Sequence, residues 1–419
     1  MKKIFNHSKR NIALLGLGTV GQAVYEEINN NISSVLVQDI SKKRNIHSSE
    51  LNITTDFQEI IEDQNIDIII ELIGGEAPAY DYIKNSINAN KSVITANKEV
   101  MGKHGNELLA LAEKNNVFLL YEASVAGGIP IISPIVNDLS SNEFSSIRGI
   151  INGTTNYILT KMANENLELA DVLKEAQDLG YAEADPTSDI EGFDAQYKIS
   201  ILSRIAFNSD VLLNQIYVEG ISSIKSKDFA YASELGYTIK LLATASINQD
   251  ENLLVKVHPA LIPNHVPMSV VNGVLNAVEI KGHLFGTLWF QGAGAGAKAT
   301  ASSVLSDLIK IQNSDKKINI NHKNTYKITS MDSHFCQYYL RLNVSDKPGV
   351  LAGIAMEFGK KNISISSVLQ KDLHDDGSAD LVIITYPSLE RDMQASIKKI
   401  TNLDTVFNID SMIRVESYK

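Results

Sequence analysis

The sequence contains a single cysteine and no excess of positive charge. Cys336 is the only cysteine in 419 residues, so the chain cannot form an internal disulfide, which fits a reducing compartment. Lys and Arg number 38 against 49 for Asp and Glu, and the resulting net charge of −11 argues against binding to nucleic acids or anionic membranes. Neither the cysteine nor the histidines fall at a zinc-binding spacing such as HxxxH or CxxC.

Long apolar runs are also missing. No run approaches the roughly 18 residues that a membrane helix needs. The basic N-terminus MKKIFNHSKR is not followed by the apolar region of a secretory signal. At about 150 residues a domain, the length predicts two or three domains. We therefore expect a cytoplasmic, multidomain chain that is an enzyme.

Residues 1–135 alternate short apolar runs with helical patterns. The predicted strands are residues 11–16, 35–37, 66–70, 92–95 and 117–120, and the predicted helices are residues 22–29, 80–90 and 105–115. This alternation is typical of βαβ units in a parallel sheet that is covered on both faces. We predict an α/β domain, to which a glycine run and helix at about residues 292–312 return.

The remainder of the chain differs in pattern. Residues 136–291 predict an α+β domain, with helices at 167–179 and 192–207 and strand-like pieces near 255, 270–275 and 279. The polar residues 313–334 predict a linker. Residues 335–419 follow the order β-α-β-β-α-β, which is the split βαβ arrangement of small ligand-sensing modules.

A glycine motif, Gly16-Leu17-Gly18-Thr19-Val20-Gly21, separates the first predicted strand from the first helix. G-x-G-x-x-G in this position is typical of a Rossmann-type site, where the N–H groups of a helix N-terminus bind a dinucleotide pyrophosphate. Asp39 follows the second strand, where an acid that binds the ribose is expected. The alternative is that the glycines serve turn geometry alone.

The choice between NAD and NADP stays open at this point. Asp39 would accept hydrogen bonds from the ribose of NAD. Lys42, Lys43 and Arg44 lie just beyond it and could pair with the 2′-phosphate of NADP, or form a solvated loop.

The segment 183–194 carries five carboxylates and no basic residue. Such a run is ordinarily an exposed loop. Here, however, Lys198 follows Asp194 by one helical turn, and the residues after it are apolar. A half-buried Asp–Lys pair keeps the lysine charged and oriented, which suits a proton donor. The neighbouring carboxylates would attract a substrate ammonium.

Two further segments are candidates for polar contacts with a ligand. Lys98 follows the strand pattern SVITAN, and ligands bind beyond the carboxyl ends of such strands. Residues 152–156 (NGTTN) precede a helical pattern and offer hydroxyl and N–H groups to a carboxylate. The alternative for Lys98 is an exposed lysine without a functional role, and the alternative for residues 152–156 is a simple helix N-cap.

Five motifs share the order and spacing of a known family. They are GLGTVG (16–21), TANKE (95–99), YEASVAGGIP (121–130), NGTTNYIL (152–159) and LGYAEADPTSDIEGFDAQYK (179–198). Together they resemble the monofunctional homoserine dehydrogenases over about residues 11–310. The last residues, 335–419, resemble an ACT domain, whose strand–helix turn is similar to DKPGVL (346–351).

The resemblance implies roles for particular positions. The implied catalytic residues are Lys198 and Lys98, with Asp194 orienting Lys198. Substrate contacts are implied for Gly153, Thr154, Tyr181, Glu183 and Asp189. Cofactor contacts are implied for Gly16, Leu17, Gly18, Thr19, Val20, Gly21, Asp39, Lys98 and Gly296. A structural monovalent cation, usually sodium in that family, is implied at the main-chain oxygens of Glu122, Val125, Gly127 and Ile129. Many relatives have arginine where Gln38 stands, which weakens the expectation of NADP.

The resemblance predicts reversible, NAD(P)-dependent reduction of L-aspartate 4-semialdehyde to L-homoserine, in threonine and methionine biosynthesis. Oxidation of the same aldehyde to an acyl phosphate needs a thiolate, and Cys336 lies beyond the catalytic region. The other alternative is a non-catalytic amino-acid sensor on a dehydrogenase scaffold. The lysines and carboxylates are intact, which argues against a sensor.

The ACT-like module predicts feedback regulation. Threonine is the expected effector, with Gly349 and Asn362 as regulatory residues, and a dimerisation module without ligand is the alternative. We expect a homodimer or homotetramer with no nucleic-acid or membrane partner.

Overall fold

A computed structural model of the chain describes residues 11–44, 51–313, 326–373 and 377–418. Residues 1–10 and residues 314–325 of the predicted linker lie outside the described residues. The chain divides into two compact units. Unit 1 comprises Met1–Ile147, Tyr197–Leu213 and Asn276–Tyr326, and unit 2 comprises Arg148–Gln196, Asn214–Leu275 and Lys327–Lys419.

Strands and helices alternate at the start of the chain, as the sequence predicts. They are β1 (Asn11–Leu15), α1 (Thr19–Ile28), β2 (Ile32–Leu36), β3 (Asn52–Thr54), α2 (Phe57–Glu62), β4 (Ile66–Glu71), α3 (Ala79–Asn88), β5 (Ser92–Thr95), α4 (Lys98–Lys114), β6 (Leu119–Leu120) and β7 (Phe144–Ile150).

The middle of the chain begins with helices and continues with longer strands. The elements are α5 (Gly153–Glu165), α6 (Leu169–Asp178), α7 (Thr187–Ile190), α8 (Phe193–Phe207), β8 (Tyr217–Val218), α9 (Ser226–Glu234), β9 (Tyr237–Ile247), β10 (Leu253–Pro263), β11 (Leu275–Gly282), β12 (Gly286–Ala293) and α10 (Ala297–Asn313).

The C-terminal part has the predicted β-α-β-β-α-β order, with one short additional strand. Its elements are β13 (Phe335–Ser345), α11 (Val350–Gly359), β14 (Ile365–Leu373), β15 (Ser378–Thr385), β16 (Ser388–Leu389), α12 (Glu390–Ile400) and β17 (Val406–Val415).

Unit 1 contains a parallel sheet with the order β3-β2-β1-β4-β5-β6. Its central strands β1 and β4 are apolar and almost continuously buried, which is typical of a parallel sheet covered on both faces. The late helix α10 places Val304, Leu308 and Ile311 in the same core as Ile12 and Leu14 of β1. The predicted α/β fold is confirmed.

In unit 2, neighbouring strands follow the order β9-β10-β17-β13-β15-β14. In the C-terminal module, helices α11 and α12 pack against the sheet and form with it an apolar core that includes Leu340, Ile354 and Met393. The last strand, β17, also pairs in parallel with β10, at Ala260 with Arg414 and Leu261 with Val415. The module is thus joined to the preceding part of unit 2 by backbone hydrogen bonding.

One predicted strand is wrong. Residues 270–274 are not a strand, since Pro267–Val270 forms a 3-10 turn and β11 begins only at Leu275. Proline starts the turn, and Gly273 adopts a φ of +64° that breaks the extended pattern. Within the described ranges, no helix combines the length and apolar composition that spanning a membrane requires.

Candidate active site

The glycine motif forms the tight turn between β1 and α1. Gly16 has a φ of +93°, and a Cβ there would lie 2.9 Å from the Leu72 carbonyl oxygen. A Cβ on Gly21 would collide with the Gly16 carbonyl, so helix and turn pack too closely for a side chain. A Cβ on Gly18 would meet nothing within 4 Å, which leaves open space at the N-terminus of α1. Glycine thus serves close packing at two positions and ligand access at the third.

Asp39 lies on an exposed segment just after β2. Its Oδ1 accepts hydrogen bonds from the backbone N–H and the hydroxyl of Ser41, at 2.8 and 2.7 Å. The Ser41 side chain is the main cause of a lowered pKa at Asp39, so the group is an anion at neutral pH. Arg44, one of the predicted partners of a 2′-phosphate, donates instead to the Lys42 carbonyl at 2.9 Å.

Lys98 is the first residue of α4, and a buried polar network holds its turn. Asn97 caps the helix by accepting from the Val100 N–H at 3.0 Å. Its amide donates to the carbonyl of Gly75 at 2.7 Å, and its N–H donates to Thr95 Oγ1 at 2.9 Å.

Behind this turn lies Glu71, at the end of β4. Thr95 Oγ1 donates to its carboxyl at 2.5 Å and the Ile73 N–H donates at 2.6 Å. Complete burial raises the pKa of Glu71 to about 7. Sequence reasoning did not identify Glu71 or Asn97, although both flank a predicted strand.

Lys198 is only 8% exposed on α8, so the predicted burial of this lysine is observed. Within unit 1, α8 packs closely against α4, because a Cβ on Gly102 would lie 3.2 Å from the ring of Tyr197. Arg204, 2% exposed, donates to the Met101 carbonyl at 2.9 Å. Helices α4 and α8, which begin near the two candidate lysines, are therefore packed together.

In unit 2, Asn152 joins two of the predicted carboxylates. Its amide donates to Asp189 Oδ1 at 2.6 Å and to Asp194 Oδ2 at 2.8 Å. Its Oδ1 accepts from the Thr155 N–H at 2.8 Å and so caps α5. Asp194 is 1% exposed. The sequence predicts that residues 152–156 offer groups to a carboxylate or serve as a simple N-cap, and nothing local indicates the two bonds from the Asn152 amide.

The other predicted substrate residues occupy different positions around this cluster. Thr154 Oγ1 donates to the Tyr181 carbonyl at 2.7 Å, which joins the start of α5 to the acidic loop. The Tyr181 ring packs against Tyr157, with 5.0 Å between centroids. Glu183 is exposed, and its carbonyl accepts a hydrogen bond from the Gln177 side-chain amide at 3.0 Å.

A buried lysine supports the far end of the NGTTN motif. Lys240, 1% exposed, donates to Asn156 Oδ1 at 3.1 Å, the Val271 carbonyl at 2.7 Å and Asn272 Oδ1 at 2.9 Å. Burial lowers the pKa of Lys240 to about 8. This contact was not predicted, because Lys240 lies in a strand far from the motif in sequence.

The predicted cation residues lie in a buried loop of unit 1. Ala126 and Gly127 both have left-handed backbones, with φ of +56° and +53°. A Cβ on Gly127 would lie 2.5 Å from the Gly294 carbonyl oxygen. The Gly127 carbonyl accepts from Ser303 Oγ at 2.6 Å.

Glu122 is held by its side chain within this loop. Its carboxylate accepts 2.8 Å bonds from the N–H groups of Ile131, Ile132 and Ser133, and its main-chain oxygen accepts from the Val125 N–H at 3.5 Å. Gly296, a predicted cofactor contact, has a φ of +113° and open space around its Cβ position just before α10.

The regulatory candidates lie at the two ends of α11. Gly349 precedes the helix with a φ of +94°, and a Cβ there would meet nothing within 4 Å. Asn362 has a φ of +56°, and its N–H donates to the Gly359 carbonyl at 3.1 Å. Both residues occupy backbone conformations that favour glycine or asparagine.

Comparison with known proteins identifies the family. The family model for homoserine dehydrogenase matches residues 130–309, that for the homoserine dehydrogenase NAD-binding domain matches residues 16–122, and that for the ACT domain matches residues 338–404. Homoserine dehydrogenase of Neisseria gonorrhoeae is 41% identical over 430 residues, covering 97% of this chain and 98% of that protein. The chain belongs to the homoserine dehydrogenase family.

Solved homoserine dehydrogenases have the same fold. The enzyme from Thiobacillus denitrificans superposes with a TM-score of 0.91 at 38% identity, covering 97% of this chain and 98% of that one. A hyperthermophilic archaeal homoserine dehydrogenase in complex with NADPH has a TM-score of 0.64 at 28% identity, covering 74% of this chain and all of that one (100%). The predictions of an NAD(P)-dependent oxidoreductase and of a C-terminal ACT domain are confirmed.

Proposed function

We propose that this chain catalyses the reversible reduction of L-aspartate 4-semialdehyde to L-homoserine through the residues predicted from the sequence. The observation that carries the proposal is the pair of bonds from Asn152 to Asp189 and Asp194. Two carboxylates held by one neutral amide keep their negative charge available for a substrate ammonium. Glu183 and Asp189 would bind that ammonium, with Gly153, Thr154 and Tyr181 completing the contacts.

The glycine motif fits a dinucleotide. The open space at Gly18 and the N–H groups of α1 suit a pyrophosphate, since a helix N-terminus carries partial positive charge. Leu17, Thr19 and Val20 would contribute backbone contacts, and Asp39, Lys98 and Gly296 would contact other parts of the cofactor. The bound NAD(P)H supplies the hydride that the aldehyde carbon receives.

The proton comes from the chain. As the carbonyl oxygen gains negative charge, Lys198 donates a proton to it, directly or through water, and the neutral lysine later recovers one from solvent. Lys98 stabilises the developing alkoxide. Asp194 lies one turn before Lys198 on α8, and a carboxylate at this spacing keeps an ammonium charged and oriented.

The assay for this proposal is oxidation of L-homoserine by the full chain, followed by the absorbance of NAD(P)H. We expect turnover with at least one of the two cofactors. Asp189→Asn should raise KM for homoserine and leave KM for the cofactor unchanged. Absence of turnover with both cofactors would favour the amino-acid sensor, which should then bind homoserine or threonine without oxidising it.

We further propose feedback regulation through the ACT domain, with threonine as the effector. Open space at Gly349 supports this, because a small ligand could approach the backbone there. Asn362→Gly keeps the left-handed backbone and removes only the side chain, so it should weaken threonine inhibition without changing basal turnover. Asn90→Gly, at a φ of 59° in unit 1, is the matched control. Equal inhibition of all forms would exclude Asn362.

Several finer assignments complete the proposal. Sodium would bind to the carbonyl oxygens of Glu122, Val125, Gly127 and Ile129. The Glu122 and Gly127 oxygens already accept from the Val125 N–H and the Ser303 hydroxyl, and a carbonyl has a second lone pair for a cation. Residues 1–135, with about 292–312, would bind cofactor, and residues 136–291 would bind substrate and form the oligomer contact. The enzyme would be a cytoplasmic homodimer or homotetramer.

A further inference from the structure

The end of the chain, residues 414–418, lies against two segments that continue into the proposed substrate site. We define these residues as the C-terminal segment. The segment begins at the end of β17, which pairs with β10. The Glu416 N–H extends this pairing by donating to the Leu261 carbonyl at 2.9 Å. All the contacts described below lie within unit 2.

The first of the two segments begins at Arg148. Its Nη1 donates to the Ser417 carbonyl at 3.1 Å, and its Nη2 lies 3.3 Å from Glu416 Oε1. The guanidinium also stacks 4.4 Å from the ring of Tyr418. Arg148 is 7% exposed in β7, which ends at Ile150 just before Asn152.

The second segment begins at Glu219. Arg414 donates to Glu219 Oε2 at 2.6 Å and to the Tyr217 hydroxyl at 2.9 Å, while its other N–H groups bind Glu390 of the ACT domain. The next residue, Gly220, has no room for a side chain, since a Cβ would lie 2.6 Å from Glu191 Cα.

The second contact reaches the acidic loop. The Ile221 N–H donates to the Ile190 carbonyl at 2.9 Å, so residues 219–221 lie directly against residues 190–191. Asp189, which Asn152 binds, is the residue immediately before. Arg414 is thus linked through residues 219–221 to the residue that follows Asp189, and Arg148 lies four residues before Asn152, whose amide binds Asp189.

We propose that the C-terminal segment positions the carboxylates of Asp189 and Asp194, which bind substrate, through Arg148 and Gly220. The inference rests on the proposed assignment of Asp189 and Asp194 to substrate binding. Arg148 and Arg414 are positioning residues, because neither is placed on the substrate itself. Ligand binding to the ACT domain would be transmitted along the same two contacts, since β17 is an ACT strand.

The test uses the full chain with Arg148→Lys and Gly220→Ala, and measures kcat, both KM values and the thermal midpoint. A lysine lacks the planar guanidinium that reaches both Ser417 and Glu416 and stacks on Tyr418, and an alanine at 220 would push on the acidic loop. We expect KM for homoserine to rise about tenfold in each variant, with KM for NAD(P) unchanged. The matched controls are Arg391→Lys, an exposed arginine, and Gly353→Ala, where a Cβ would meet only Leu403 at 3.8 Å.

The outcomes are distinct. If both variants lower the thermal midpoint but leave KM for homoserine unchanged, the two contacts are only structural and the inference is overturned. An equal rise in KM for the cofactor would overturn it as well. Should Arg148→Lys fail to fold, Tyr418→Ala takes its place, because it removes only the stacked ring. If Asp189→Asn leaves KM for homoserine unchanged, the proposed substrate assignment itself fails, which separates the two failures.

Discussion

The side-chain amide of Asn152 donates a 2.8 Å hydrogen bond to the buried carboxylate of Asp194. The same amide binds Asp189, and the oxygen of the same side chain caps α5. One neutral residue therefore starts a helix and orients two anions. Its side-chain oxygen should affect stability and its amide nitrogen should affect substrate affinity, so the two effects can be separated by substitution.

Asn152→Ala should lower stability by about 1 kcal/mol through loss of the cap and should also raise KM for homoserine. Asn152→Ser retains a capping oxygen but is too short to reach both carboxylates. We expect serine to restore the thermal midpoint but not KM. Asp56→Ala, which removes the bond from the Gln58 N–H to the cap of α2, should lower stability alone. Full recovery of KM with serine would contradict the orienting role.

Lys198→Ala should reduce kcat by about 10²–10⁴-fold, the range typical of lost general acid catalysis. KM for NAD(P) should stay unchanged, because the variant removes a proton donor rather than a cofactor contact. Steady-state kinetics with homoserine measure both. The control is Lys174→Ala on the exposed face of α6. Turnover close to that of the unmodified chain would refute the assignment.

Glu71 should make stability depend on pH. Its folded-state pKa of about 7 lies above the ordinary 4.5, so the folded chain holds the proton more tightly than the unfolded chain. The resulting stabilisation is complete below pH 4.5 and is lost as the pH rises through about 7. Glu71→Gln should reduce the slope of thermal midpoint against pH in this window. Glu113→Gln, on the exposed face of α4, should retain the slope, and an identical slope in both variants would exclude Glu71 as its source.

Asp39→Asn should shift cofactor preference toward NADP. A carboxylate accepts hydrogen bonds from the ribose of NAD and repels the 2′-phosphate of NADP, so its removal should change the ratio of kcat/KM values by about tenfold. Initial rates with both cofactors give this ratio. Asp67→Asn, also exposed in unit 1, should leave the ratio unchanged. An unchanged ratio in Asp39→Asn would place the ribose elsewhere.

Sodium should stabilise the chain if it binds in the loop 122–129. Replacing sodium with an equal concentration of tetramethylammonium should lower the thermal midpoint, because the larger cation cannot enter a buried turn. Gly127→Ala should abolish this difference, since a Cβ would press on Gly294. The same midpoint in both salts would argue against a cation site.

Local features of the sequence sufficed for the cofactor loop and for most of the element order. Gly16 supplies the positive φ of its own turn and Gly21 packs on the Gly16 carbonyl, and hydrophobic periodicity reflects the burial of each strand or helix. The predicted strand at 270–275 was wrong because Gly273, with its positive φ, interrupts the apolar residues of this segment. Burial of Lys198 could be predicted because apolar residues follow it on the same helix.

Contacts between distant segments required the folded structure. Asn152 lies 42 residues from Asp194, and Arg148 lies 269 residues from Ser417. An asparagine before a helix has the same local pattern whether its amide faces water or two carboxylates. Whether the amide contacts water or carboxylates depends on the relative positions of the loops. Those positions are determined by the packing of the whole unit rather than by neighbouring residues in the sequence. The chemistry of each residue is thus readable along the chain, whereas its partners are set by the tertiary fold.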